Sequence, residues 1–280
     1  MAGKINGLQA LIKRVAPDAQ WTHCVIHREA LASRQLSPDL NEIFNEVVSV
    51  VNFIKTRPLK ACLFSALCEE MGAVHTAVLF HSEARWLSRG KVLTLVYELR
   101  AEIRLFLEEE RMYEAASKFT DEHFLMKLAY LSDVFGKINE LNLQLQGKDK
   151  HLPCLADKIT GFTRKLDIWG RRLDQGRIDA FESLSEIAET IDSGATAVIP
   201  CIKQHITSLL SLFQKYFPTS SAQYDWIMDP FHAAAPADFS SAEEDQFIEM
   251  TSDSTLRLKF TAQTQRNIPR REILLGPGAQ

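Results

Sequence analysis

Cysteine is scarce in this chain, five in 280 residues, and the odd number at irregular spacings counts against a disulfide framework. No secretory leader stands at the start, and no apolar run approaches the roughly 20 residues that a membrane-spanning helix requires. Free thiols in a reducing compartment, away from any membrane, are the simplest consequence. A basic excess is missing too: 32 Lys and Arg stand against 36 Asp and Glu, a net charge of −4. That balance is unlike a dedicated nucleic-acid binder. No short-period repeat, low-complexity tract or basic block interrupts the chain. What remains is 46 % apolar content, ample for a sizeable core in one or two domains.

The apolar residues recur with helical period over most of that length. Leu155, Ile159, Phe162, Leu166, Trp169 and Leu173 alternate steps of four and three, one stripe along a helix. Phe124, Leu128, Leu131, Phe135, Ile138, Leu141 and Leu145 make a second stripe. Others start at Leu40 (through Phe44, Val47, Val51 and Ile54), at Val92 (through Val96, Leu99, Ile103 and Phe106) and at Ile202 (through Ile206, Leu209, Phe213 and Tyr216). Gly147, Pro153, Pro200 and Pro218 punctuate these runs as helix ends and starts should be punctuated. Stripes this short, separated by loops, predict an antiparallel bundle over 91–217; pairing with another chain as a coiled coil is the alternative. Beyond Pro218 come an aromatic turn around Asp225 to Phe231, a linker at Ala233 to Ala237 and a short acidic helix from Ser241 to Met250.

One segment carries a different signal. Trp21 to Ile26 is rich in aromatic and β-branched residues after the Pro17-Asp18 turn, so it reads as a short buried strand, with helical spacing from His27 to Gln35. Cys24 and His27 then sit at an element junction with His23 beside them. Zinc would need four ligands structurally or three catalytically, and no second close Cys/His pair is present. Cys62 with Cys68, and His75 with His81, fit core burial better. The simplest reading of Cys24 and His27 is a buried thiol and a hydrogen-bonded imidazole.

The block HCVIHREALA at 23–32, followed in order by VVNFIKTRPL at 50–59, LFSALCEEMG at 63–72 and RWLSRGKVL at 85–93, resembles hAT-superfamily transposases. The similarity is to domesticated members of the zinc finger BED domain-containing and SCAN domain-containing type, and runs from Met1 to about Phe260. Cys24 and His27 match the C-x-x-H block, and Arg85 and Trp86 the Arg-Trp block. The resemblance implies a ribonuclease-H-like catalytic core interrupted by a large all-helical insertion. Three acidic residues there hold two divalent cations roughly 4 Å apart, which clamp the attacking and leaving oxygens. On this expectation the two aspartates would precede Met1, and the tail from Thr261 diverges before the glutamate. Asp18, Glu29, Glu83 and Asp229 match none of those positions, so no catalytic residue, metal or cofactor is expected, and no enzyme.

The expected fold is therefore mainly α, with a partial ribonuclease-H-like α/β remnant over 1–90 and a helical insertion bundle over 91–217. Residues 218–260 hold the turn, linker and acidic helix, and 261–280 form a disordered divergent tail. The resemblance implies a nuclear, non-catalytic, domesticated factor acting through protein partners or self-association, with no membrane and no small-molecule substrate. Weak DNA contact through Arg85, Trp86, Arg89 and Lys91 is the alternative, since the family's Trp is implicated in holding a flipped base. A non-functional relic, or a truncated isoform of a larger BED-type protein, is the third reading: loss of the early strands would expose a sheet edge around Trp21 to Ile26.

Overall fold

Helix starts are written locally in this chain. Ser37 takes the extended N-cap conformation and its hydroxyl accepts the Leu40 amide at 3.5 Å, while Pro38 occupies the first turn. Asp121 caps the longest central helix, accepting the His123 and Phe124 amides at 2.8 and 3.1 Å. The computed structural model describes residues 7–17, 23–79, 88–147, 152–191, 194–218, 226, 229–237 and 239–267. The chain divides into two compact units, Met1–Pro218 and Thr219–Gln280.

The first unit contains α1 (Leu8–Val15), α2 (Val25–Ala32), α3 (Pro38–Lys55), α4 (Pro58–Glu70), α5 (Ser88–Glu98), α6 (Arg100–Glu109), α7 (Tyr113–Lys118), α8 (Glu122–Gln144), α9 (Leu152–Asp174), α10 (Glu182–Glu189), a 3-10 turn (Gly194–Ala197) and α11 (Ile199–Tyr216). Among the described residues there is no strand, and no helix long and apolar enough to cross a membrane. The core is organised around α8. It packs against α3, α5, α9 and α10, and Met126, Leu128, Ala129, Tyr130, Leu131, Val134 and Ile138 are fully buried. Those positions spread around most of the helix, as a helix packed among others requires. Aromatic edges fill the gaps: Tyr130 meets Phe181 at 5.1 Å, and Phe162 meets Phe213 at 5.1 Å.

The α/β remnant expected over 1–90 is corrected by this arrangement. Trp21 and Thr22 lie outside the described residues, but Val25 to Ala32 is helical, and α3 and α4 follow it directly. Strand propensity depends on context. Here it loses to helical phase, because Val25, Glu29 and Ala32, spaced by four and three, are buried on one side of α2. The expected stripes of α3, α8 and α11 lie in the core. The stripe begun at Val92 is divided between α5 and α6 at Leu99, which adopts a non-helical ψ of 18°.

A distant side chain completes one helix start. Asp133 on α8 accepts the Ser183 and Leu184 amides, both at 3.1 Å, at the start of α10, which has no cap of its own there. The Tyr97 hydroxyl on α5 donates to the Ser183 carbonyl at 3.0 Å. In the second unit, α12 (Ser241–Ser252) begins with a reciprocal Ser240–Glu243 capping box, and α13 (Ser254–Asn267) follows. Trp226, Phe239 and Phe247 form a mutual edge-to-face cluster there, with centroids 5.2–6.2 Å apart. Thr261 to Asn267, where disorder was expected to begin, continue α13, and residues 268–280 lie outside the described residues.

Close approach of α5 to α8 requires Gly90. A methyl group there would collide with the Asn139 amide and lie 3.0 Å from the Phe135 carbonyl oxygen. Gly90→Ala is therefore expected to cost about 1–3 kcal/mol through overpacking. Gly161, inside α9 with nothing within 4 Å of its would-be Cβ, is the converse case. Gly161→Ala is expected to stabilise by about 0.5–1 kcal/mol through helix propensity. Thermal or urea denaturation of the two variants reads both signs.

Candidate functional site

The 23–32 block forms α2 and seats it on the bundle. Cys24 occupies the N-cap position without a side-chain capping bond, and both Cys24 and His27 are exposed. The expected burial of these two side chains is thus corrected. Helical phase places Val25, Glu29 and Ala32 inward and leaves the junction residues in solvent. Cys62 is likewise exposed, whereas Cys68 is buried and its thiol is pushed up to about 11 by burial, with the Glu102 and Glu69 carboxylates adding to the rise. No group of three or more His, Cys, Asp or Glu able to hold a metal occurs among the described residues.

What α2 buries is an acid. Glu29 is fully inaccessible; one carboxyl oxygen accepts the Ser33 hydroxyl at 3.2 Å and the other the Asn142 amide of α8. Asn142 is itself held by Gln146, whose amide donates to its oxygen at 2.6 Å. Burial pushes the Glu29 carboxyl up to about 7, against the opposing pull of its two neutral donors. The neighbouring Arg28 donates to the Tyr216 carbonyl at 3.0 Å and lies 4.7 Å over the Phe217 ring, tying α2 to the end of α11. Ser37 and Cys201 meet at 3.9 Å, adding a contact from the following loop to α11.

A second buried pair lies between α8 and α11. The Tyr130 hydroxyl and His205 Nδ1 are 2.6 Å apart, both residues almost wholly inaccessible. Burial holds the imidazole down at about 4, opposed by the Gln35 backbone carbonyl. Which of Tyr130 and His205 donates depends on the imidazole tautomer; the other ring nitrogen, Nε2, is buried and meets no hydrogen-bond partner among the described residues. The Tyr130 hydroxyl is pushed well above its ordinary value, chiefly by burial. Sequence reasoning did not single out Glu29, Tyr130 or His205 as buried polar groups. The one available signal was phase: Glu29 stands four residues after Val25 and three before Ala32.

Arg85 and Trp86 lie outside the described residues. Arg89 is placed 4.6 Å over the Phe44 ring, and Lys91, two positions on, is exposed. Residues two apart do not share a helix face, so α5 does not present Arg89 and Lys91 together. Lys91 lines a hollow of about 390 Å³ between α5 and α8 with His75, Glu98, Asn139 and Glu140; His75 and Glu98 pair across it at 3.3 Å. Its charge is mixed, unlike a track for a phosphate backbone.

The protein is thus a helical domain whose distinguishing interior features are two buried polar pairs that bind α2 and α11 to α8. The family model describing the FAM200/GTF2IRD2 helical domain matches residues 23–174, which span α2 to α9, and the chain belongs to that family. It is 26% identical over 262 residues to the General transcription factor II-I repeat domain-containing protein 2 of Bos taurus, covering 92% of this chain and 27% of that protein. The chain therefore spans about a quarter of the length of the curated relative it matches. No solved structure matches it.

The two buried groups make opposite demands on pH. Glu29 binds its proton more tightly folded than unfolded, so its contribution to stability is present below pH 4.5 and lost as pH rises to about 7. His205 binds its proton less tightly when folded, so stability is lost as pH falls from 6.5 to about 4. Each effect is on the order of 3 kcal/mol, so over the shared interval they largely offset one another. Glu29→Gln removes the first and keeps an acceptor for Asn142. Its urea midpoint is expected to fall more steeply than the parent's between pH 6.5 and 4.5; parallel profiles would refute the opposition.

Proposed function

We propose that this chain is a non-catalytic, transposase-derived helical domain acting in the nucleus as a protein-interaction or chromatin-associated module. The observation that carries this reading is its kinship with a protein named as a general transcription factor repeat-domain protein, alongside membership of the FAM200/GTF2IRD2 family. The ancestor we propose is an hAT-superfamily transposase of the zinc finger BED domain-containing type, on the strength of the four ordered blocks that begin at His23. The side chains support a structural use of acidity: Glu29 meets neutral donors, while Glu110, Glu46 and Asp179 are met by Lys60, Lys118 and the Arg172–Arg177 pair at 2.8, 2.8 and 3.1–3.2 Å. Arg89 lies on Phe44 within the fold, which counts against its use as a phosphate contact at the start of α5.

Supercoiled plasmid incubated with the purified chain and Mg²⁺ or Mn²⁺ is expected to stay intact, and duplex DNA to be bound no more tightly than non-specifically, about 10⁻⁴–10⁻⁶ M at physiological salt. In cells, the chain fused to a bulky reporter is expected to concentrate in the nucleus. Metal-dependent nicking would overturn the non-catalytic reading. Tight binding that weakens steeply with added salt would instead favour the DNA-binding module, and exclusion from the nucleus would remove the proposed site of action.

A further inference from the structure

The loop between α2 and α3 presents a dipeptide that occurs once in this chain. Of the 10 prolines, only Pro38 follows a serine or threonine, Ser37. Proline has no amide hydrogen, so an enzyme whose cleft is apolar just beyond the acceptor serine takes Ser-Pro without stranding a donor. Proline also keeps the residue before it out of the helical region, and Ser37 stands extended at φ −63° and ψ 156°. Arg34, Gln35, Pro38 and Asp39 around it are exposed, and residues 35–37 belong to no helix. Ser37 itself is half-buried: its hydroxyl lies 3.5 Å from the Leu40 amide and 3.9 Å from the Cys201 sulfur of α11. Both contacts are long, so little holds the hydroxyl back from turning outward.

The surroundings suit a phosphate on that hydroxyl. Residue 37 is the N-cap of the 18-residue α3, which directs the positive end of its dipole and its first amides there. A cation stands at the same helix start: Lys127 of α8 pairs with Asp39 at 3.8 Å. Arg34, three residues before Ser37, brings a second positive charge to the loop. A phosphoserine carries nearly two negative charges at neutral pH, so it draws Lys127 more strongly than the carboxylate of Asp39, which is 65% exposed and can swing into solvent. We propose that Ser37 is a phosphorylation site for a proline-directed serine kinase, with the phosphate seated on the α3 N-terminus and Lys127. In that step Ser37 Oγ attacks the terminal phosphorus of a nucleoside triphosphate. The new O–P bond replaces the bond to the departing diphosphate, and the hydroxyl proton passes to the kinase's base. The first turn of α3 frays to admit the segment to the cleft; of its residues Pro38, Asp39 and Asn41 are exposed already, and only Leu40 leaves the core. The contact with Cys201 is lost, so modification loosens the loop from α11 while it fixes the start of α3. The site stands apart from the nuclear role proposed above, and neither rests on the other.

Incubated with a proline-directed kinase and magnesium ATP, the folded full chain is expected to take up close to one phosphoryl group per chain, mapped to Ser37 by peptide mass spectrometry. Ser37→Ala should abolish the uptake. Pro38→Ala keeps the hydroxyl and its cap, and should slow the uptake by roughly tenfold. Ser49→Ala, at an exposed position of α3, should leave it unchanged. The phosphorylated chain is expected to melt higher than the unmodified one in low salt, and that gain to shrink with added salt and in Lys127→Ala. Because each gain compares one chain with and without its phosphate, it does not depend on the variant matching the parent in stability. Uptake by only a trace of the chains, uptake mapped elsewhere, a rate indifferent to Pro38→Ala, or a phosphorylated chain that melts lower would each overturn the proposal.

Discussion

Burial of α8 around most of its circumference is the constraint on which the rest of the first unit depends. Its buried positions run from Phe124 to Asn142 and leave one narrow face, with Glu122, Glu140 and Leu143, exposed; α3, α5, α9 and α10 pack against it. In a helix so placed, buried donors and acceptors without partners are costly. Four polar side chains on its inner turns each reach a different neighbour. Ser132 reaches Thr94 on α5 at 3.1 Å, Asp133 the α10 amides, Tyr130 His205 on α11, and Asn142 Glu29 on α2. Non-directional burial holds the helices together, and these four contacts set their relative positions.

The same logic explains why α2 belongs to the bundle despite its modest apolar content. Its buried apolar residues are Val25 and Ala32, and the rest of its docking is polar: Glu29 to Asn142, Arg28 to the Tyr216 carbonyl and the Phe217 ring. A buried carboxyl with neutral partners is an anchor whose strength depends on pH. The 23–32 block thus works in this fold as a clasp across α8 and α11. Its exposed Cys24 and His27 stand on the outer side.

Periodicity was legible wherever burial is one-sided. The α3, α9 and α11 stripes needed only a count of threes and fours, and the caps at Ser37 and Asp121 are visible as residue types. Three things were not. Val25 and Ile26 look like strand residues taken alone, and only the phase set by Glu29 and Ala32 makes them helical. On α8, Met126, Ala129, Tyr130 and Val134 lie off the expected stripe, because enclosure by several helices adds faces that no single period describes. Tyr130 and His205 are 75 residues apart, and nothing local to either announces the other. The expected ribonuclease-H-like remnant failed for a related reason: ancestry inferred from short blocks specifies residues, while the fold follows the burial pattern those residues make with α3, α8 and α11.

Hydrogen exchange measured residue by residue across a series of low denaturant concentrations tests the central role of α8 most directly. If α8 is the enclosed element on which the others are built, its amides between Leu128 and Ile138 exchange only through complete unfolding of the first unit. The slowest amides of α3, α5, α9 and α11 then converge on the same opening free energy as denaturant rises. Protection in α9 and α11 that persists after α8 has exchanged would contradict the account, because it would show a bundle that stands without its central helix.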